Sequence, residues 1–331
     1  MSQNVPFQDV LDALLDDGHP FPARFLHRFS DLPPVELKLL LQVWPKISAR
    51  RKQTLLEDLE DLAEADTLTS FDDLARPLLS DPEPNVRTQA IRLLWECEDA
   101  KLIPIYLEML AQDKDAQVRA AAANALGLFV YQGELEEIPA ETHHEIEDRL
   151  LAATTSAKEQ GLVRRRALES LGYSGRQEVI PLIEAAYRQK DPEWLKSALF
   201  AMGRSCDARW KKQVLAQLRA YDEDIRSEAI HAAGELELAS ARPILLDLLE
   251  DEEDSETVHE LVWALSKIGG EGVRSKLEEL LGSETDDEKA EFIEEALENL
   301  YFTEDMNQLD LFDIPSEQEW HEEEDEDEKD R

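Results

Sequence analysis

The stretch Asp115–Gly127, which reads DAQVRAAAANALG, decides the fold of this chain. In it Val118 and Arg119 are followed by Ala122, by Leu126 and by a final glycine, so an alanine, a leucine and a glycine stand four, eight and nine positions after the valine. Positions four and eight share one side of an α-helix, because a helical turn takes about 3.6 residues. We therefore predict a helix with one apolar stripe and small residues where another helix can approach closely.

The same pattern recurs along the chain. Further copies start at Val86, Val163, Trp194, Ile225, Thr257 and Lys289. The glycine position falls at 95, 127, 172, 203, 234, 266 and 298, so neighbouring copies are 31 or 32 residues apart except for one spacing of 45. The long spacing predicts an insertion of about 13 residues around 131–142 and 157–161. Upstream of three copies a proline predicts the first turn of a preceding helix, at Pro104, Pro181 and Pro243.

Each repeat therefore consists of two helices, and one such hairpin cannot bury both of its apolar faces alone. Stacked hairpins can. We predict an all-α, right-handed superhelical solenoid of antiparallel helical hairpins (HEAT-like repeats, by the resemblance given below) over residues 70–305. Residues 306–331 are predicted to be a disordered acidic tail, because such a charged block cannot bury enough apolar surface to offset chain entropy.

The first part of the chain, residues 1–69, departs from the register of the repeats. Apolar stripes in Val35–Ile47 and Arg50–Ala65 predict one more hairpin, and Phe7–Leu15 and Pro22–Phe29 are predicted to be short helices. We interpret this part as an atypical N-terminal helical cap.

Charge and composition exclude several classes of function. The chain has 75 acidic and 35 basic residues, a net charge of −40. This excess disfavours direct nucleic-acid binding and binding to an anionic membrane. No apolar run reaches the length of a spanning helix, no secretory signal is recognisable, and the two cysteines fit a reducing compartment. We expect a cytoplasmic protein.

The repeats resemble HEAT repeats, particularly the short bacterial type that is also called bilin-lyase-like. The resemblance rests on the Asp-x-x-x-Val-Arg…Ala…Leu-Gly pattern and covers about residues 70–305. It implies that the arginine pairs with an acidic group near the turn between the two helices. Candidate pairs at a spacing of four are Glu83/Arg87, Asp115/Arg119 and Asp222/Arg226.

Three His-Glu pairs of the chain are candidate ligands for iron. HEAT-type deoxyhypusine hydroxylases hold two irons with several His-Glu pairs, a sensible ligand set for iron. The candidates here are His143-His144-Glu145, His259-Glu260 and His321-Glu322. Of these, His259-Glu260 lies on a second helix, as that resemblance requires, and one pair does not make a di-iron site. Bilin lyases share the scaffold without a catalytic residue that we can place. We therefore expect no cofactor, no metal and no enzymatic activity.

Tryptophans and arginines provide further candidates. HEAT-like DNA glycosylases use aromatic pockets flanked by cations, and the net charge argues against one here. We predict that Trp194, Trp210 and Trp263 serve packing between repeats. Arg164, Arg165 and Arg166 are three consecutive cations in an acidic body. They are candidates for binding an acidic partner or the chain's own tail; the alternative is one arginine at the turn and two solvated charges.

The tail contains Gln308-Leu309-Asp310-Leu311-Phe312. All five positions resemble the peptide by which many bacterial proteins dock on the DNA-polymerase sliding clamp. A flexible tail can present Leu311 and Phe312 to an apolar pocket while Gln308 hydrogen-bonds beside it. The alternatives are that these apolar residues cover the open end of the last repeat or bind another partner.

The function predicted from the sequence is a non-catalytic scaffold that binds another protein, of unidentified nature, along the concave face formed by the second helices. A sliding-clamp-associated replication or repair factor, tethered by Gln308–Phe312, is one alternative, and a HEAT-type metal enzyme or bilin lyase is another. Outward positions of the second helices are predicted at Arg92, Arg165, Glu169, Ser197, Glu228, His231 and Glu260.

Overall fold

The computed structural model describes residues 6–252 and 254–308 of the chain. It divides into two compact units, Met1–Ala201 and Met202–Arg331. Within the described ranges all regular structure is helical, and no strand occurs. The prediction of an all-α solenoid of helical hairpins is confirmed.

The helices of the first unit alternate between a first and a second helix of each hairpin after an initial α1. Their bounds are α1 Phe7–Leu15, α2 Pro34–Val43, α3 Ala49–Ala65, α4 Asp72–Leu78, α5 Pro84–Arg92, α6 Ile103–Gln112, α7 Ala116–Glu134, α8 Ala140–Thr155, α9 Gly161–Ser170, α10 Val179–Tyr187 and α11 Pro192–Arg204, the last of which contains the division between the units. Second helices pack on one another in sequence, α3 on α5, α5 on α7 and α7 on α9. Each hairpin is closed by contacts such as α4 on α5 and α6 on α7.

The second unit continues the same scheme. Its remaining helices are α12 Lys211–Gln217, α13 Glu223–Glu235, α14 Arg242–Asp251, α15 Ser255–Ile268, α16 Val273–Ser283 and α17 Asp287–Gln308. The second helices α13, α15 and α17 pack in succession, and α12, α14 and α16 each lie against their own partners. Pro104 and Pro243 stand in the first turn of α6 and α14, where a missing N–H costs nothing.

Helix α17 differs from the predicted boundary of the tail. It runs to Gln308, so residues 306–308, which were predicted to be disordered, are helical. Most of the predicted tail, from 309 to 331, lies outside the described residues.

Residues 131–134 and 140–142 of the insertion are helical, and residues 157–160 lie in the turn between α8 and α9. The second helix α7 has 19 residues, whereas the second helices α5 and α9 have 9 and 10. The first helix α8 has 16 residues. The extra residues lengthen the two helices of neighbouring hairpins at the ends where they meet. Tyr131 of the lengthened part contacts Tyr173, with ring centroids 5.3 Å apart.

The glycine at the end of the pattern permits close approach of neighbouring second helices. A Cβ at Gly203 would lie 3.1 Å from the Cα of Ala232, and one at Gly127 would lie 2.9 Å from Ser170 Oγ. Neither glycine has a positive φ. At these positions the glycine therefore serves the close packing of neighbouring helices.

Helix α3 and Trp44 join the first repeat through a buried polar network. Helix α3 places Lys52 Nζ 3.2 Å from Asp81 Oδ2, and both residues are buried. Trp44 donates its Nε1–H to the same oxygen over 2.7 Å. The other oxygen of Asp81 accepts from the amide of Glu83, at the start of α5. The charged pair is thus enclosed by further hydrogen bonds, which a buried ion pair requires.

Candidate protein-binding faces

The arginine of the repeat pattern binds the turn of its own hairpin. Arg87 Nη1 donates to the carbonyl of Asp81 over 2.8 Å, and Arg119 Nη1 donates to the carbonyl of Asp113 over 2.8 Å. Arg164 and Arg226 make the equivalent bonds, to carbonyls near the ends of α8 and α12. The arginine therefore satisfies carbonyl groups that a helix end leaves without partners.

The acidic partners predicted for these arginines were wrong. Arg87 makes two bonds of 2.8 and 2.9 Å to Asp113, and Arg119 makes two bonds of 2.8 and 3.1 Å to Glu159. Both acids belong to the next hairpin. The residue four positions before the arginine has another role, since Asp115 accepts from the amide of Gln117 and caps α7.

Asp222, the acid predicted for Arg226, likewise caps its own helix, α13, by accepting from the amide of Ile225. Glu83, the acid predicted for Arg87, occupies the N-cap position of α5 without a side-chain cap bond.

The carboxylates that pair with Arg87 and Arg119 have lowered pKa values. Burial alone would raise the pKa of Asp113, but the hydrogen bonds and charge of Arg87, with the amide of Asp115, outweigh it and hold the pKa below its usual value. The pKa of Glu159 is lowered in the same way by Arg119 and the amide of Gln160, against the opposing effect of burial. These pairs are ionised at neutral pH and link successive hairpins of the first unit.

Each member of the triplet Arg164, Arg165 and Arg166 contacts a different group. The guanidinium of Arg164 lies 5.2 Å from the ring centre of Trp194, in addition to its bond to the turn. Arg165 Nη2 lies 3.5 Å from a carboxylate oxygen of Glu193. Arg166, the most exposed of the three, lies 2.5 Å from Glu169. Each cation already faces an acid or an aromatic ring of the chain itself, and binding of an acidic partner stays a prediction.

Two of the predicted outward residues are buried. Glu169 and Ser197 are 4% and 3% exposed, and the Ser197 hydroxyl donates to the Glu169 carboxylate over 2.6 Å. The bond joins α9 to α11, so these residues hold second helices together and do not present a binding surface. The prediction failed because helical periodicity locates a stripe but does not tell its exposed part from the part that a neighbouring helix covers.

The second helices of the second unit are joined by a row of polar and aromatic contacts. Ser227 on α13 donates to Glu260 on α15 over 2.6 Å. One turn further along, His231 stacks on Trp263 with ring centres 4.5 Å apart. His259 then stacks on Phe292 of α17 at 3.3 Å. We name this set the stacking row.

Burial acts on both histidines of the stacking row. It lowers the pKa of His231, and the carboxylates of Glu235 and Glu260 oppose this only in part. It also lowers the pKa of His259, which Glu260 opposes in the same way. Both imidazoles are therefore neutral at pH 7 and stack as uncharged rings.

The packing of the tryptophans agrees with the prediction made for them. Trp210 is 2% and Trp194 is 8% exposed. The ring of Trp263 occupies the space beside Gly234, where an added Cβ would lie 2.5 Å from its Cζ3. An aromatic ring of one repeat thus fills the gap left by the glycine of the preceding repeat.

His259 and Glu260, the candidate iron ligands on a second helix, face different neighbouring helices. His259 faces Phe292 on α17, whereas Glu260 faces Ser227 on α13. Adjacent helical residues point about 100° apart, so a His-Glu pair needs ligands from other helices to converge. His143 has one such neighbour, Glu134 at the end of α7, and Glu147 of its own helix lies beside it as well. Neither glutamate was a candidate ligand from the sequence, although the spacing of four between His143 and Glu147 signals a shared helix face.

Of the candidate docking peptide, Gln308 is the last residue of α17. Leu309, Leu311 and Phe312 lie outside the described residues, as do His321 and Glu322. No helix in the described ranges is both long enough and apolar enough to cross a membrane.

Comparison with known families gives two matches. A family model described as HEAT repeats matches residues 72–140 and 211–298. One described as PBS lyase HEAT-like repeat matches residues 163–189, between these two segments. Together they cover more than half of the chain. No curated protein matches it.

Solved structures provide fold neighbours. YibA of Escherichia coli is 18% identical, and the match covers 84% of this chain and 95% of that chain with a TM-score of 0.42. A designed armadillo repeat protein is 17% identical over 60% of this chain and 99% of its own, with a TM-score of 0.37. Human deoxyhypusine hydroxylase in complex with glycerol is 19% identical over 79% and 95%, with a TM-score of 0.34. At these identities the likeness concerns the fold alone.

Proposed function

We propose that this chain, which belongs to the HEAT-repeat family, is a non-catalytic scaffold that binds another protein along its second helices. The observation that carries the proposal is the acidity of the second helices in the second unit. Acidic residues occur four times in α13, twice in α15 and eight times in α17, whereas the basic residues of these helices are Arg226, Lys267 and Lys289.

Exposed carboxylates of α17 lie on the side away from the core. Ile293, Ala296 and Leu300 are its buried stripe. Glu291 and Glu298 are exposed, stand seven residues apart and therefore share one face, on the opposite side of the helix. These two carboxylates are available to a partner, while the carboxylate of Glu260 in the stacking row accepts a hydrogen bond within the chain.

A partner with a basic surface fits this face. Opposite potentials steer two proteins together and fix their register, and they disfavour acidic competitors. The net charge of −40 extends this effect over the whole chain. We therefore expect an association that weakens as the salt concentration rises.

The test compares two double charge reversals with the same change in net charge. One carries Glu291→Lys and Glu298→Lys on the second helix α17, and the other carries Glu278→Lys and Glu279→Lys on the exposed surface of the first helix α16. Proteins from an extract of the source cells are captured on the immobilised full chain and quantified by mass spectrometry.

A basic protein should be retained by the wild type and by the α16 variant, and its recovery should fall by about tenfold or more with the α17 variant. Equal recovery from all three chains, or no salt-sensitive partner of the wild type, contradicts the proposal. Equal recovery from the three chains would mean that the partner binds another surface of the protein.

A second candidate function rests on the sequence Gln308–Phe312. We propose that this peptide tethers the chain to a bacterial sliding clamp, because Leu311 and Phe312 are large apolar side chains in a charged segment. The test is binding of purified clamp to the wild-type chain and to a Phe312→Ala variant, with Phe302→Ala as the control. Loss of binding only on Phe312→Ala supports the tether, and no clamp binding by the wild type rejects it.

A further inference from the structure

Three potential metal ligands meet where the insertion lengthens its helices. Glu134 is the last residue of α7, and His143 and Glu147 lie one turn apart on α8. His143 Nε2 lies 3.7 Å from Oε1 of Glu134 and 3.7 Å from Oε1 of Glu147. One ligand atom from each residue lies within 4.8 Å of the other two.

The local backbone makes room for this arrangement. A Cβ at Gly133 would lie 2.2 Å from the ring of His143, so only a glycine allows the imidazole to reach this position. The extra turns of α7 and α8 bring Glu134 and the imidazole of His143 together. A chain with the normal repeat length would lack these extra turns. The insertion is thus the structural origin of the cluster.

The imidazole nitrogen in the cluster has no hydrogen-bond partner. His143 Nε2 is buried, and its side chain is 12% exposed. A buried polar atom without a partner carries a free-energy cost, because it has lost its water and gained nothing in return. A neutral imidazole offers a lone pair on one nitrogen, which is the form that binds a metal ion.

The electrostatics favour a cation at the same place. The Glu147 side chain is 2% exposed, and the nearest guanidinium atom, Nη1 of Arg176, is 3.9 Å from its Oε2. That guanidinium is closer to two other carboxylates, at 2.6 Å from Asp148 and 3.1 Å from Glu178. The desolvation cost of a buried carboxylate is poorly compensated when its nearest cation is shared with other carboxylates in this way.

Second-sphere donors already orient the two carboxylates. Ser174 donates its hydroxyl hydrogen to Oε1 of Glu147, and the amide of Gly175 donates to Oε1 of Glu134 over 2.8 Å. Each oxygen keeps a further lone pair for a metal. Donors of this kind fix the ligand geometry in metal sites.

We propose that Glu134, His143 and Glu147 bind one divalent transition-metal ion of the Zn²⁺ class. Neighbouring ligand atoms of a tetrahedral Zn²⁺ site lie roughly 3.4 Å apart, which follows from metal–ligand bonds of about 2.1 Å. The two distances of 3.7 Å from His143 need a contraction of a few tenths of an ångström to match. Water completes the coordination on the side of Glu134, the most exposed of the three ligands.

The ion would act as a clamp for the insertion. Its ligands come from the end of α7 and the first half of α8, and the second-sphere donors come from the turn before α10. Metal binding therefore favours the folded arrangement of all three segments by mass action. This role is independent of partner binding on the second helices of the second unit.

The experiment titrates the metal-free full chain with Zn²⁺ by calorimetry and with Co²⁺ by visible absorption. The test variants are Glu134→Gln and His143→Gln. Glutamine at 134 keeps an oxygen for the Gly175 amide, so the first variant removes a charge and a ligand without opening the turn. The matched control is His144→Gln, which changes the exposed neighbour of the ligand.

We expect one tight Zn²⁺ per wild-type chain, together with Co²⁺ bands typical of a low-symmetry site with nitrogen and oxygen ligands. Each test variant should weaken that binding by about tenfold or more, while His144→Gln leaves it unchanged. Weak binding to the acidic surface is the same in all four chains and can be subtracted. The inference is overturned if the wild type shows no tight site, or if both test variants, folded by circular dichroism, bind like the control.

Discussion

Replacing Gly234 with alanine tests the close packing of second helices in the second unit. The added Cβ would lie 2.5 Å from Cζ3 of Trp263 and 3.0 Å from the Cα of Ala264 on the facing helix. The ring cannot easily yield, because it is stacked on His231. The Cα of Ala264 is backbone, so the two helices must separate.

The magnitude follows from two opposing effects. Overpacking of this kind costs about 1–3 kcal/mol, and alanine is favoured over glycine inside a helix by about 1 kcal/mol. Since both contacts are at or below 3.0 Å, we expect the upper part of the range and a net loss of about 1–2 kcal/mol in the free energy of unfolding.

The assay is urea unfolding followed by circular dichroism, with Gly282→Ala as the control. Gly282 is also helical, but its added Cβ would meet nothing within 4 Å. That variant should gain about 0.5–1 kcal/mol from helix propensity alone. Close packing at Gly234 is refuted if Gly234→Ala stabilises the chain as Gly282→Ala does, because position 234 would then have free space.

Three further substitutions test the ion pairs between hairpins, the stacking row and the buried pair of Lys52 and Asp81. Arg119→Ala should lower the free energy of unfolding by about 1–3 kcal/mol, since it removes two hydrogen bonds to Glu159 and one to the turn. Urea unfolding measures this loss. A loss of stability that occurs only at acid pH would contradict the prediction. His231→Gln should flatten the pH dependence of stability near pH 6. Because the folded-state pKa of His231 lies below its usual value, its contribution is present above about pH 6.5 and is lost as the pH falls through the folded pKa; an unchanged slope would exclude this assignment. Lys52→Met should lower the free energy of unfolding by about 3–5 kcal/mol, because it leaves Asp81 buried without its cation. Thermal unfolding detects this loss, and an unchanged stability would contradict the stabilising role of the pair.

The repeat pattern predicted the hairpins because each one is encoded locally. Alanine and leucine at a spacing of four mark the buried stripe of a helix, and the recurrence at 31 or 32 residues marks the unit. Short helices outside the register were predicted as well, and α1 has the predicted bounds Phe7–Leu15. Periodicity within each helix and recurrence along the chain were sufficient to predict these elements.

The contacts between hairpins could not be predicted from these sequence patterns. The sequence suggested Asp115 as the partner of Arg119, but a carboxylate at the start of a helix is already used by that helix's own amides. The actual partner, Glu159, is 40 residues away and lies in the second segment of the insertion, 157–161. Likewise, the cluster at His143 depends on Glu134, which only the length of α7 brings into reach.

Site-specific photo-crosslinking in the source cells tests the proposed scaffold most directly. A benzophenone amino acid replaces Glu291, on the exposed face of α17, or Glu278, on the exposed face of α16. We expect a discrete crosslinked product with a basic protein from position 291 and none from position 278. Products from both positions alike, or from neither, would contradict a binding face on the second helices.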